Sequence, residues 1–361
     1  MATAWNTSGR TDVTSVSRSG QKGLTGDTRA IFLKQFSGEV LTSFEEKNIA
    51  MPLHRVRTIS NGKSAQFPSI GVIGADYHTA GQTILGDSVQ HGEVTVTVDD
   101  LLVSAAFIPK IDEAMQHYEV RSTYSKEMGN ALANAADKNI FTTIFKASKA
   151  TAASPNVTDQ AGYWASSDFT GLNEGNTSGE INIRDAADDA DNAAERAAYN
   201  GQNIVDGVFK ALELFDVNNV TGEKYLVVTP EAYYKLFGTN SANFMTNTAM
   251  NQDLGGNGSV ALGQAPTIAG IKVLMSNHLP IATQSTPVPL SGDSGRQAAY
   301  TDINANLKGL IFTKDAAATV KLLDLGVESE YQIDRQGTLM VAKYAMGHNV
   351  LRGKSCIALT V

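Results

Sequence analysis

The sequence contains a single cysteine, Cys356, among 361 residues. One cysteine excludes an intrachain disulfide framework and any zinc site built from several cysteines, and it is typical of a chain made in a reducing compartment. The run 356–359 around it is apolar. We therefore expect Cys356 to be packed in a strand, because a free cysteine behaves as a small buried hydrophobe.

The chain also lacks a surplus of positive charge and any long apolar run. Its 29 Lys and Arg against 37 Asp and Glu give a formal net charge of -8, which argues against binding to a phosphate backbone. No stretch approaches the ~18 consecutive apolar residues of a membrane span, and the polar N-terminus lacks the features of a secretory signal. These absences predict a soluble protein made in the cytoplasm, with no membrane partner.

A recognisable catalytic or metal-binding motif is missing as well. The segment 292–295, Gly-Asp-Ser-Gly, matches the nucleophile signature of chymotrypsin-like proteases, but no histidine in a suitable context precedes Ser294. The glycines at 255–258 and the acidic cluster at 185–191 lack the spacing of nucleotide and calcium loops. We predict no enzyme activity, no catalytic residues, no metal and no cofactor, and we keep a soluble serine hydrolase using Ser294 as a rival hypothesis.

The first part of the chain predicts a flexible arm and then a β-rich excursion, a two-stranded segment that extends away from the main body. Residues 1–26 are polar and predict a flexible arm, followed by a short amphipathic helix over 29–36. From His54 to Leu102 the pattern is that of strands, with three valines of the segment 94–98 alternating with polar residues. An isolated hairpin is marginal in water, so we expect this excursion to lie on a partner surface.

The strongest local pattern is a long helix that begins near Pro109. Apolar residues recur at helical spacing to about Lys146, which predicts a helix roughly 57 Å long at ~1.5 Å per residue. Charged residues on its other faces favour an extended molecule. After a polar insertion at 151–180, the pattern predicts helices over 183–215 and 230–237, and strands at 225–229, 271–275, 310–312, 320–323, 328–331 and 339–344.

Four segments resemble the major capsid proteins of T-seven-like podoviruses. They are GEVLT at 38–42, SNGKSAQFP at 60–68, IDEAMQHYEVRS at 111–122 and KYAMGH at 343–348, and they occur in that family's order. The resemblance thins across 151–300. The resemblance implies an α+β fold of the Hong Kong ninety-seven-like capsid type. In that fold the chain has an N-terminal arm at 1–53, an extended loop at 54–104 and an axial domain at 196–304. The peripheral domain comprises 105–195 and 305–361 and carries a spine helix at about 109–146.

The resemblance implies a shell subunit that assembles as pentamers and hexamers into the icosahedral head of a short-tailed, double-stranded DNA phage. Expected partners are other copies of the chain, a scaffolding protein, a portal protein at one vertex, and packaged DNA enclosed without sequence-specific binding. The expected location is the virion, after synthesis in the host cytoplasm. The alternative within the same fold is an encapsulin-type compartment. The predicted subunit-interface residues are Arg55, Arg57, Lys63, Gln66, Phe67, Val94, Val96 and Val98.

Overall fold

The structure is a computed structural model that describes residues 49–70, 77–83, 91–99, 101–115, 121–150, 179–183, 199, 201–236, 267–281, 300 and 302–361. The predicted helix over 29–36, the segment around Ser294, the glycines at 255–258, the acidic cluster at 185–191 and most of the polar insertion lie outside these residues. The described part contains the strands β1 (Arg55–Thr58), β2 (Ser64–Ile70), β3 (His91–Thr97), β4 (Leu102–Pro109), β5 (Glu180–Asn182), β6 (Lys224–Val228), β7 (Lys272–Met275), β8 (Leu307–Thr313), β9 (Ala317–Gln332), β10 (Gly337–Val350) and β11 (Cys356–Thr360), and the helices α1 (Lys110–Met115), α2 (Arg121–Lys149), α3 (Gly201–Val217) and α4 (Pro230–Lys235).

The described residues group into two units. The smaller contains residues 101–115, 121–135 and 323–346, and the larger contains the remaining described residues. Helix α2 and strands β9 and β10 each contribute residues to both units.

A five-stranded sheet in the order β5-β11-β8-β6-β7 organises the larger unit. Its strands are apolar on both faces because each face is covered by a helix. On one face, Leu226 and Val228 of β6 belong to a core shared with α3. On the other, Tyr225 and Val227 share a second core with Phe141 and the rest of the α2 segment 140–147. The alternation of neighbouring residues between two cores follows from the two-residue period of a strand.

A second sheet has four strands, in the order β1-β9-β10-β4. In the larger unit β1 pairs in parallel with residues 318–321 of β9. In the smaller unit β4 pairs antiparallel with residues 337–344 of β10. There the amide of Lys110, the first residue of α1, donates to the carbonyl of Gln336 at 3.0 Å, which joins the helix start to the turn before β10.

Strands β2 and β3 form a separate antiparallel hairpin in which Ala65 faces Val96 and Phe67 faces Val94. Because side chains alternate along a strand, these four residues share one face of the hairpin. The opposite face carries Gln66, whose amide nitrogen donates to Oε1 of Glu93 at 3.1 Å. The hairpin is therefore amphipathic, with one apolar and one polar side.

Three expectations from the sequence change in the structure. The predicted helix over 183–215 was wrong at its start. Residues 181–183 are buried, exposed and buried in turn, as in a strand, and the amide of Ile183 donates to the carbonyl of Thr360 at 2.9 Å. In the described residues the helix begins at Gly201. The strands expected at 320–323 and 328–331 are one continuous strand, β9. Residues 139–145 of α2 are buried on all sides and do not carry the expected exposed faces.

The predicted strands at 225–229 and 271–275 are confirmed as β6 and β7, within one residue at each end. The helix beginning with proline is confirmed as α4, and the strand around Cys356 as β11, where that residue is fully buried. Of the long helix expected at about 109–146, the described residues show α1 and α2, and residues 116–120 between them lie outside the described part.

Candidate subunit interface

The predicted interface residues divide into an exposed polar group and a buried apolar group. Val94 and Val96 in β3 and Val98 directly after it are 7%, 0% and 5% exposed, so the chain itself already buries them. Phe67 is half-buried, and Gln66 is exposed on the polar face. The polar face is therefore the side of the hairpin that is open to contact.

Strand β1 and the turn that follows it form the base of the hairpin. All four residues of β1 are exposed. Arg55 pairs with Asp315, with 2.6 Å from Nε to Oδ1. Arg57 donates to the backbone carbonyl of Gln66 at 3.1 Å, and its guanidinium lies 6.0 Å from the ring centre of Phe67. Lys63 is exposed, and its carbonyl accepts the amide of Val98 at 2.7 Å. Of the predicted basic residues, the structure thus places Arg57 against the hairpin, pairs Arg55 with Asp315, and leaves Lys63 exposed in the turn before β2.

Two residues that we did not select from the sequence hold the hairpin against β10. The side chain of Asn349 donates to the carbonyl of Thr95 at 3.0 Å. Gly347 faces the backbone of Thr97 and Val98 so closely that a Cβ added there would overlap the Thr97 carbonyl oxygen and lie 2.8 Å from the Cα of Val98. Only a residue without a side chain fits this approach.

Beneath the hairpin base lies a buried polar network. The carboxylate of Asp137, on α2, is fully buried and accepts the amides of Ile49 at 3.0 Å and Ala50 at 3.2 Å. The carbonyl of Ala50 contacts Nδ1 of His54 at 2.8 Å. These contacts fix residues 49–54, which we call the anchor segment.

The network continues through what we call the histidine bridge (His54, Thr319 and His348). Nε2 of His54 lies 2.5 Å from Oγ1 of Thr319, and the same oxygen lies 2.8 Å from Nδ1 of His348. Sequence reasoning missed this bridge because its members are far apart along the chain. The sequence carries no local motif around these residues that could have revealed it.

Burial sets the protonation of the bridge. Burial lowers the pKa of His348 to about 3, and the charge of nearby His54 adds to this shift. Burial also lowers the pKa of His54, against the opposing effects of its contact with Ala50 and of the charge on Asp137. Both rings are neutral at pH 7, because a buried imidazolium loses its hydration without gaining an equivalent partner.

The described residues contain no group of three or more His, Cys, Asp or Glu placed to hold a metal ion. Burial raises the pKa of the Cys356 thiol far above its usual range, so a thiolate is disfavoured at this position. No helix in the described part of the chain is both long enough and apolar enough to cross a membrane.

Solved capsid structures share this fold. The capsid structure of the cyanophage P-SCSP1u matches with a TM-score of 0.71 and 38% identity, covering 94% of this chain and 96% of that chain. The mature capsid of bacteriophage PhiM1 matches with a TM-score of 0.66 at 16% identity, covering 97% and 98%, a likeness in fold alone. The α+β fold is thus that of Hong Kong ninety-seven-like phage capsid proteins.

The sequence comparison gives the family. A family model described as Gp10A-like major capsid protein matches residues 66–360, and the chain belongs to this family. The major capsid protein of Escherichia phage T7 is 29% identical over 350 residues, which are 92% of each chain. That of Enterobacteria phage T3 is 29% identical over 349 residues, 93% of this chain and 92% of the relative.

The chain is therefore a major capsid protein of a phage, a structural component of the virion. The expected resemblance to T-seven-like podoviruses is confirmed. Neither rival hypothesis, an encapsulin-type compartment or a hydrolase using Ser294, is favoured by these matches.

Proposed function

We propose that this subunit assembles as pentamers and hexamers into the icosahedral head of a short-tailed, double-stranded DNA phage, and that the hairpin of β2 and β3 reaches onto an adjacent subunit. The observation that carries the hairpin's role is its construction as a two-stranded sheet of its own with a polar outer face. A two-stranded sheet has little stability by itself, so a neighbouring surface adds contacts that the single chain lacks.

The domain scheme of the proposal follows the family. The arm comprises 1–53, the extended loop 54–104, the peripheral domain 105–195 and 305–361, and the axial domain 196–304, which lies at the centres of pentamers and hexamers. Support comes from the family match over 66–360, which spans most of this scheme.

The contact itself uses the exposed basic residues beside the hairpin. Arg55, Arg57 and Lys63 present positive charge on a chain whose net charge is -8, so a neighbouring copy offers acidic partners. Individual exposed ion pairs contribute only about 0–1 kcal/mol. A shell repeats each contact many times, and many weak contacts made together give a stable assembly without any single tight site.

Scaffolding protein during assembly, a portal protein at one vertex and enclosed DNA are the proposed partners, with synthesis in the host cytoplasm. The acidic balance supports a shell that does not adhere to the DNA it encloses. We propose no enzymatic role and no cofactor. Lys63 acts in this scheme as an interface residue and forms no covalent link between subunits.

Negative-stain microscopy and sedimentation of the expressed chain, with and without scaffolding protein, test the assembly. Uniform spherical shells are expected, and protein that stays monomeric under both conditions contradicts the proposal. Lys63→Glu should reduce the yield of shells by reversing a charge at the contact, whereas the matched control Lys63→Arg keeps the charge and should assemble normally. Boiling the shells in detergent should release single chains, and a ladder of covalent multimers would show that subunits are crosslinked.

A further inference from the structure

The buried histidine bridge has no part in the contacts between subunits proposed above. His54, Thr319 and His348 are 5%, 0% and 8% exposed, and all three belong to the larger unit. Through Ala50 they connect to the carboxylate of Asp137, so one continuous polar network joins α2, the anchor segment, β9 and β10.

The contacts specify where the protons lie. A backbone carbonyl only accepts hydrogen bonds, so Nδ1 of His54 must carry a proton and donate it to Ala50. In a neutral ring Nε2 is then an acceptor, and the Thr319 hydroxyl donates to it. The oxygen of Thr319 is left to accept from Nδ1 of His348. Every donor in the bridge thus has an acceptor while both rings are neutral.

A proton added to His54 alone reverses this order. Its Nε2 then donates to the Thr319 oxygen, and the hydroxyl donates in turn to Nδ1 of His348, which must be unprotonated to accept it. When His348 is protonated as well, both rings donate to the same oxygen, the hydroxyl proton loses its acceptor in the bridge, and a second positive charge lies across the same hydroxyl. The two histidines cannot both be charged in this geometry without strong repulsion in a poorly solvated site.

The surrounding charged and titratable groups do not compensate for such charges. Asp137 favours a charge on His54, but its oxygens already accept two amides, and Lys321 on β9 opposes that charge. Nδ1 of His278 lies 3.5 Å from Oδ2 of Asp137, the same oxygen that accepts the amide of Ile49.

His348 faces an aromatic ring. Tyr300 packs edge-on against it, with ring centres 6.0 Å apart, and the Tyr300 hydroxyl donates to Asp99 at 2.5 Å. Asp99 is therefore engaged by a hydrogen bond and is directed at the phenol.

We propose that the histidine bridge is an acid-sensitive latch that holds the anchor segment and the base of the β2–β3 hairpin in place, and releases both when His54 and His348 take up protons. The mechanical link to the hairpin is direct. His348 lies between Gly347 and Asn349, the two residues that hold β3 against β10. The link to the anchor segment is the contact of His54 with Ala50. The latch lies within one chain and operates in the free subunit as well as in a shell.

The direction of the pH effect follows from linkage. In the latched state the pKa of His348 is about 3, and in the released state it returns to about 6.5. The latch is therefore fully stable above about pH 6.5, and its stability is lost as the pH falls below that value. For this histidine, each unit by which the pH falls well below 6.5 raises the ratio of released to latched chains by up to about tenfold, which amounts to about 50-fold between pH 6.5 and 4.5. His54 adds to the effect in the same direction.

Hydrogen exchange of the full chain, followed by mass spectrometry at pH 7.5, 6.5, 5.5 and 4.5 and corrected for the intrinsic pH dependence of exchange, tests the latch. Peptides covering 49–58 and 91–99 should lose protection by about 50-fold or more between pH 6.5 and 4.5. Peptides covering β6 and β8 should keep theirs. Unchanged protection of the first two peptides overturns the latch, as does a simultaneous loss in all four.

Variants of the bridge residues distinguish the effect of protonation from the effect of lost packing. His348→Asn keeps a donor near the position of Nδ1 but cannot titrate, so the pH dependence should become shallower. The matched control His78→Asn removes an exposed histidine outside the bridge and should leave the profile unchanged. Thr319→Ser keeps the hydroxyl and should preserve the profile, whereas Thr319→Val should lower protection at 49–58 already at pH 7.5. A His348→Asn profile identical to that of the parent chain would contradict the proposal.

Discussion

Replacing Gly347 with alanine should detach the base of the hairpin from β10. The added Cβ would overlap the carbonyl oxygen of Thr97 and lie 2.8 Å from the Cα of Val98. Both are backbone atoms, which cannot turn aside as the end of a flexible side chain can. The φ angle of Gly347 is outside the left-handed region, so the cost comes from this contact and not from backbone strain.

The magnitude follows from two contributions. Overpacking of a well-packed site costs about 1–3 kcal/mol, and contact with rigid backbone places this change at the upper end. Moving β3 away also breaks the hydrogen bond from Asn349 to Thr95, which contributes about 1 kcal/mol. We expect Gly347→Ala to lower the free energy of unfolding by about 3–4 kcal/mol.

Urea unfolding followed by circular dichroism measures the effect, and hydrogen exchange at residues 91–99 locates it. The matched control is Gly129→Ala, because an added Cβ on this residue of α2 meets no atom within 4 Å. Alanine is the better helix former, so the control should gain about 0.5–1 kcal/mol. If Gly347→Ala unfolds at the same urea concentration as the parent chain, the close approach of β3 and β10 is refuted.

Two further predictions concern buried polar groups. Asp137→Leu should lower the free energy of unfolding by about 2–5 kcal/mol, because it leaves the half-buried amide of Ile49 and the buried amide of Ala50 without an acceptor. Asp137→Asn keeps one acceptor oxygen and should cost less, and equal urea midpoints for the two variants would contradict this. Burial raises the pKa of the Cys356 thiol, so the native chain should resist iodoacetamide at pH 8 and react only when unfolded in urea; labelling of the native chain at the rate of a free thiol would show that the residue is accessible.

Local elements were predictable where the signal lay within a few neighbouring residues. Helix α4 begins with Pro230 after Thr229, whose hydroxyl accepts the amide of Ala232 at 3.2 Å, and proline at a helix start needs no amide partner. The apolar runs at 225–229 and 271–275 indicated strands for a similarly local reason. The helix expected from Ile183 failed because that residue completes a strand pairing with β11 far along the chain.

At the candidate interface, too, local features were predictable and contacts between distant segments were not. The sequence indicated the alternating valines and the basic residues of the hairpin, because a two-residue period and a charge are visible in a short window. It could not indicate that the valines are buried by the chain itself, or that Gly347 lies against Thr97, since these contacts join distant segments. Whether the exposed residues contact a neighbouring subunit stays a prediction.

By itself, the sequence determined the class of this protein: its acidic charge, its single cysteine and its lack of catalytic motifs indicated no visible chemistry, and its family-like segments indicated a shell subunit. The tertiary structure alone decided that His54, Thr319 and His348 meet around one hydroxyl, with Thr319 lying 265 residues from His54 and 29 from His348. Periodicity and propensity act over a few residues, whereas this cluster exists because β9 and β10 bring remote positions to the same buried point. Burial at that point keeps both imidazoles neutral in the folded chain and makes it costly for them to take up protons there.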